Sequence, residues 1–181
     1  MNKLIAIVGM SGSGKGIATD YLENKGFKKI YFGGITYKLM KEAGIERTVD
    51  GKSEKEFREN LRKKYGKDCY ARFLESEIRE ALAEGDVVLD GLYSWYEYKY
   101  LIEKFPKLQL ICIVTDKNIR YKRVAERKER AFDKEAILYR DYAEIENLAK
   151  GGPIAIADYY IQNNGSIEEC IIRLNEIINK I

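Results

Sequence analysis

Eight residues near the amino terminus limit the fold more than any other stretch of the chain. Gly9-Met10-Ser11-Gly12-Ser13-Gly14-Lys15-Gly16 follows directly on Leu4-Ile5-Ala6-Ile7-Val8, an apolar run of strand length with no polar position, as expected of a buried strand. The spacing is G-x-x-x-x-G-K, that of a loop cradling phosphate between a strand and a helix. Glycines let main-chain N–H groups converge on an anion without interference from Cβ. A helix starting near Lys15 turns its positive dipole end to the same place, and Lys15 adds a mobile charge for the outer phosphates. Gly9, Met10, Ser11, Gly12, Ser13, Gly14, Lys15, Gly16 and Ile17 are therefore expected to hold a polyphosphate, with Lys15 also in the chemistry. A plain Gly/Ser-rich turn rarely combines this spacing, the lysine and a preceding buried strand.

Position 16 departs from the generic motif. The residue after the lysine is usually Ser or Thr, whose hydroxyl helps hold Mg²⁺; here it is glycine.

The 181 residues suit one domain with a sizeable core. A formal charge of +3 is small against 32 basic and 29 acidic residues, which argues against a nucleic-acid partner. Cys69, Cys112 and Cys170 are odd in number and lie in apolar stretches, as buried thiols in a reducing cytoplasm would. No apolar run reaches the ~18 residues needed to span a bilayer, and the first strand leaves no room for a signal peptide. The chain has no histidine, so any catalysis falls to Lys, Arg, carboxylates, metal or substrate.

Helices and strands alternate along the chain. A helix over about 15–25 places Ile17, Ala18, Tyr21 and Leu22 on one face and ends at Gly26. Phe27–Phe32 reads as a strand stopped by Gly33-Gly34, and Ile35–Ala43 as a helix. Asp50-Gly51-Lys52 reads as a turn, and Ser53 with Glu56 as a capping box that starts a helix at 54. A longer helix runs to about Glu84 with Tyr70, Phe73, Leu74, Ile78, Ala81 and Leu82 as its stripe. Val87–Gly91 is a buried strand tipped by Asp90. Ser94 and Glu97 box a second helix, which Pro106 closes. Leu108–Val114 is a strand, Asp116 caps the next helix, and 133–149 is another. Gly151-Gly152-Pro153 interrupts the chain before a last strand, Asp158–Gln162. A final helix is boxed by Ser166 and Glu169, with a stripe from Ile167 to Ile181. Short apolar strands alternating with helices are the pattern of an α/β fold, a parallel sheet covered on both faces. Ligands then sit at the carboxyl ends of the strands.

The candidate chemistry gathers at those ends. Asp90 is placed to position Mg²⁺ through its water shell. Arg120, Arg123, Arg127 and Arg130 are spaced three, four and three apart and would share a helix face. Beside a phosphate loop, Arg123 and Arg127 suit the charge that develops during phosphoryl transfer; as an isolated helix the stretch would simply be a solvated stripe. Arg120 could stack on a nucleotide base, and Asn164 lies in a turn that could meet it. Tyr37, Lys38, Tyr93 and Arg140 are the acceptor-side candidates. Trp95, Tyr98, Leu101 and Phe105 fit a buried stripe.

With these residues assembled, the chain resembles P-loop nucleotide kinases of the adenylate kinase and dephospho-CoA kinase type. The resemblance rests on G-M-S-G-S-G-K-G, V-V-L-D-G, the R-x-x-R-x-x-x-R region and the closing A-D-Y-Y-I-Q-N-N-G-S. The Gly-Lys-Gly variant is common in such kinases, where the metal is held largely through water. The chain is also similar to a group of archaeal and bacterial kinase-like proteins sharing the V-V-x-D-G strand, an R-D pair like Arg140-Asp141, and an I-A-x-A-D stretch like Ile154 to Asp158. The resemblance implies a P-loop NTPase three-layer α/β/α sandwich whose five-stranded parallel sheet has the order 2-3-1-4-5. It implies a single domain over 1–181, an acceptor-binding helical region over about 33–84, and a lid over about 120–140. ATP and Mg²⁺ are the implied cofactors. Such proteins often carry G-D-x-x-R after the second strand and D-G-x-R after the third. This chain has Gly33-Gly34-Ile35-Thr36-Tyr37 and Asp90-Gly91-Leu92-Tyr93 instead.

The expectation is an ATP-dependent transfer of the γ-phosphate to a small nucleotide-like acceptor by a cytoplasmic monomer or homodimer. A nucleoside monophosphate is slightly favoured over dephospho-CoA, and no nucleic acid or membrane partner is expected. The alternative is an ATP-binding switch or scaffold without a small-molecule acceptor.

Overall fold

The computed structural model describes residues 2–48, 52–127 and 133–181. In chain order these form β1 (Leu4–Val8), α1 (Lys15–Asn24), β2 (Lys28–Tyr31), α2 (Phe32–Glu42), α3 (Lys52–Tyr65), α4 (Cys69–Glu84) and β3 (Val87–Asp90). There follow α5 (Trp95–Lys104), β4 (Gln109–Val114), α6 (Lys117–Ala125), α7 (Lys134–Leu148), α8 (Gly151–Ala155), β5 (Tyr159–Gln162) and α9 (Ile167–Ile178).

The strands pair in parallel in the order β2-β3-β1-β4-β5, the order the resemblance implied. Successive residues of a strand point to opposite faces, so a strand covered on both sides has no polar position to offer. β1 shows this directly. Leu4, Ala6 and Val8 pack with Val87, Leu89 and Cys112 against Tyr70, Leu74 and Ile78 of α4 and Leu101 of α5. Ile5 and Ile7 pack with Val88, Ile111 and Ile161 against Ala18 and Leu22 of α1 and Cys170 and Leu174 of α9. Each Val, Leu or Ile side chain among these stabilises the fold by about 1.5–3 kcal/mol on burial. The register sets Asp90 beside Ile7 on one side and Tyr31 on the other. The end of β3 therefore lies next to the point where the chain leaves β1.

The capping box of α5 forms in full, with Glu97 N–H donating to Ser94 Oγ at 3.1 Å and Ser94 N–H to Glu97 Oε2 at 3.0 Å. Ser166 caps α9, and Cys69, Cys112 and Cys170 are buried free thiols. No helix of the described residues is long and apolar enough to cross a membrane.

Several local expectations change. Gly33 and Gly34 do not stop β2; α2 starts at Phe32 and takes both into its first turn. Ser53 is not an N-cap, because α3 is already under way at Lys52. Its side chain and amide instead exchange hydrogen bonds with Thr48 at 3.0 and 3.1 Å. Asp50 and Gly51 of the expected turn lie outside the described residues. Gly151-Gly152-Pro153 opens α8, since proline's fixed φ is tolerated in a first helical turn. Asp116 stands at the N-cap of α6 without a capping hydrogen bond from its side chain. Ile17, Phe73 and Ile167 are exposed, so the apolar stripes of α1, α4 and α9 are narrower than the spacing suggested. α6 ends at Ala125, so Arg127 shares no helix face with Arg120 and Arg123, and Arg130 lies outside the described residues.

Candidate active site

The loop after β1 turns on Ser13 N–H, which donates to Met10 O at 3.2 Å. Gly14 is the N-cap of α1 with φ +104°, a left-handed conformation that favours glycine. A Cβ there would collide with the side-chain amide of Asn163, and one on Gly9 with Ile113 O. The loop is thus pressed against β4 and the segment after β5.

Its carbonyl oxygens at Ser11 and Ser13 are taken from outside, and that of Met10 from within. Arg120 donates to Ser11 O at 2.8 Å. Asn163 Nδ2 and Thr115 Oγ1 donate to Ser13 O at 2.8 and 3.1 Å. Lys15 Nζ donates to Met10 O at 2.9 Å. The amides of Gly14, Lys15 and Gly16 have no hydrogen-bond partner among the described residues, as the first turn of a helix requires. Ser13 Oγ is buried with no partner as well. Unpaired donors at a helix start form an anion site, and a nucleotide's phosphates fit it.

Burial brings Lys15 down to about 7, with the charge of Lys150 adding to the effect and Glu144 and Asp90 opposing it. Asp90, half-buried at the end of β3, accepts from Thr19 Oγ1 at 3.4 Å and lies 3.9 Å from Lys29 Nζ. Burial raises its carboxyl pKa against the pull of Lys29 and Lys15. Among the described residues no three His, Cys, Asp or Glu side chains gather as a metal cage. The donor set fits a Mg²⁺ carried by phosphates and water with one carboxylate, the usual binding mode of that ion. Beside the loop, Thr115, Lys117, Arg120 and Ile154 line a cavity of about 210 Å³.

α7 contributes more than its sequence announced. Asp141 takes Arg120 in a two-point ion pair. One turn on, Glu144 accepts from Arg140 Nε at 3.0 Å and from Lys150 Nζ at 2.5 Å. Lys150 is 2% exposed, and its ammonium sits 5.0 Å from the centre of the Tyr93 ring. Burial pushes Lys150 down, while Lys150 and Arg140 hold Glu144 below its ordinary value despite burial. The Tyr93 phenol is pushed well up by burial, with Tyr31 and Asp90 adding to it.

The structure thus brings Lys15, Asp90, Tyr93 and Arg140 into one electrostatic neighbourhood. Arg127 is exposed beyond the end of α6, where partial desolvation and then the charge of Arg140 lower its pKa. Arg123 is held elsewhere: it donates to Asn163 O at 2.9 Å and Gly165 O at 3.3 Å. Arg120 is buried against Ser11 and Asp141, and Asn164 Oδ1 accepts from Asp116 N–H at 2.9 Å. Tyr37 lies 4.2 Å under the guanidinium of Arg47, and Lys38 is exposed. Gly16 and Ile17 face open space.

Sequence reasoning missed Glu144 and Lys150, and within the Asn163-Asn164-Gly165 turn it chose Asn164 where Asn163 is the residue that meets the loop. Only packing separates the two asparagines. Lys150 precedes two glycines at a helix end, which reads as an ordinary cationic C-terminus. Glu144 reads as one more charge on a solvated face.

A parallel 2-3-1-4-5 sheet with this loop after its central strand defines a P-loop kinase-like protein. The solved structures it resembles include a shikimate kinase from Bacteroides thetaiotaomicron (TM-score 0.60, 15% identity, 99% of each chain covered). Another is a gluconokinase from Sinorhizobium meliloti (TM-score 0.58, 17% identity, 99% of this chain and 95% of that one). The chain belongs to the AAA domain family, whose model matches residues 5–147, and to the UPF0200 proteins. It is 32% identical over 184 residues to the UPF0200 protein of Sulfurisphaera tokodaii, covering 99% of this chain and 97% of the relative.

Proposed function

We propose that the chain is an ATP-dependent phosphotransferase that moves the γ-phosphate to a small nucleotide-like acceptor, a nucleoside monophosphate slightly ahead of dephospho-CoA. The observation that carries this is the row of unpaired amides at Gly14, Lys15 and Gly16, beside a half-buried lysine and a strand-end carboxylate. Phosphoryl transfer asks for positioning and charge, with little covalent work by the protein, which suits a chain without histidine. The shikimate kinase and gluconokinase of like fold act on small molecules by name, which supports a small acceptor here.

The loop amides and Lys15 hold the β- and γ-phosphates. Asp90 would hold the water shell of a Mg²⁺, which supplies charge neutralisation between the phosphates; the same carboxylate is the group placed to take a hydroxyl proton. Arg127 and Arg140, on the lid stretch, neutralise developing charge. Arg120 and Arg123 act one step back, by fixing the loop and the segment that carries Asn163. On the acceptor side, α3 supplies Arg62, whose buried Nε has no partner among the described residues. Its terminal nitrogen lies 3.9 Å from Glu97 at the start of α5, which supports an anionic acceptor between α2–α4 and the β3–α5 turn.

The test is a product screen with γ-labelled ATP across nucleoside monophosphates and dephospho-CoA, with Lys15→Ala as control. Transfer to one acceptor that K15A abolishes is the expected result. The second reading, an ATP-binding switch, draws on the absence of arginine at Gly33–Tyr37 and Leu92–Tyr93. A switch would bind a non-hydrolysable ATP analogue yet gain no thermal stability from any acceptor.

A further inference from the structure

We infer that Lys150 is a second phosphate-contacting residue, sharing the terminal phosphate of a bound nucleotide with Lys15, and that Glu144 is the counter-ion it leaves on binding. The inference rests on the nucleotide reading above and names a contact which that reading does not need.

The backbone turns sharply just before this side chain. Ala149, just before it, has φ +51°, the one non-glycine residue with positive φ among those described. The residue in this helix-closing αL position is usually glycine, and alanine there is disfavoured by contact of Cβ with backbone. The bend closes α7 with Lys150 N–H on Glu144 O at 3.2 Å and sends the side chain inward.

The ammonium carries three donors. Among the described residues Glu144 is its one hydrogen-bond acceptor, and the Tyr93 ring face takes part of the remaining charge. Donor capacity is left over in a nearly dry place. The surroundings hold more cation than anion: Lys15, Lys150 and Arg140 stand against Glu144 and Asp90, the Asp141 carboxylate being taken by Arg120. A lysine that served only to tie α7 to α8 gains nothing from lying where it disfavours the charge of Lys15. A phosphate with nearly two negative charges and three acceptor oxygens removes that conflict, since it satisfies both ammonium groups at once.

The experiment compares wild type, Lys15→Met and Lys150→Met by calorimetric titration with ADP and with the β,γ-imido analogue of ATP. Met keeps the length of the lysine stem without its charge. K150M should lose about tenfold to a hundredfold in affinity for the imido analogue, the size of a charge-assisted hydrogen bond, while ADP affinity stays within about twofold. Unchanged affinity for the analogue, or an equal loss for both ligands, overturns the inference.

A second arm uses wild type alone and does not depend on the variant folding. An acyl-phosphate ester of ATP is offered to the protein, a lysine amine attacks its carbonyl, an amide forms, and ATP leaves with the bonding electrons. Mass spectrometry should find the acyl group on Lys15 and Lys150, both protected by excess ATP. Label on Lys15 alone overturns the role of Lys150 and leaves the proposed function standing. Label on neither, with no calorimetric signal, overturns the nucleotide reading itself.

Discussion

Arg120 and Asp141 form a buried two-point ion pair, at 2.8 and 3.3 Å, and the same guanidinium donates to Ser11 O at 2.8 Å. One side chain therefore couples α6, α7 and the phosphate loop. Removing one member of a buried pair leaves the other uncompensated, which costs about 3–5 kcal/mol. Arg120→Ala should show that loss in urea unfolding, together with weaker binding of the imido analogue. Arg120→Lys should recover little, because an ammonium cannot make the planar two-point contact. An R120A–D141A double variant should be more stable than R120A; one less stable by the sum of both single losses would show that the pair is not coupled.

Lys15 sits at about 7 in the fold against an ordinary 10.5. Between those pH values the unfolded chain holds a proton that the folded chain lacks, so stability from this group rises with pH across the window. The burial penalty is full below pH 7 and gone above about 10.5. Lys15→Met should flatten the slope of urea stability against pH between 7 and 10 and stabilise the protein at neutral pH.

The same shift bears on ligand binding. A bound phosphate favours the charged lysine, so binding of the imido analogue at pH 8 should take up as much as one proton. Titration in buffers of different ionisation enthalpy measures this directly, and K15M should show no such uptake.

Gly14 and Gly16 should respond oppositely to a side chain. Gly14 has positive φ and meets Asn163; Gly14→Ala should cost about 1–3 kcal/mol, the range for a strained backbone position, and weaken nucleotide binding. Gly16 has nothing within 4 Å of its would-be Cβ. Gly16→Ser should leave stability unchanged or raise it by about 0.5 kcal/mol on helix propensity. It should also strengthen the Mg²⁺ dependence of nucleotide binding by restoring the hydroxyl of the generic motif. A magnesium titration of the analogue's affinity checks this.

Much of the frame was legible from residues four to sixteen and from the later apolar runs. The end of β3 at Asp90 and the full capping box of Ser94 and Glu97 stand where the sequence put them. The arginines were legible as a group and not as individuals. Spacing alone placed Arg120, Arg123 and Arg127 on one helix face, yet α6 stops at Ala125 and Arg123 is engaged by Asn163 and Gly165. Helix length is decided by packing as much as by periodicity, and the residues after Ala125 carry no capping signal to mark the end.

By itself the sequence determined the conformation of the phosphate loop and the parallel sheet beneath it, because glycine φ preferences and runs of buried aliphatic residues act over a few neighbours. The tertiary structure alone decided which charges share the site. Lys15 and Lys150 lie 135 positions apart, and neither carries a local mark of the other. The charge of Lys150 reaches Lys15 because packing sets the end of α7, with its left-handed turn at Ala149, near the loop that follows the central strand β1.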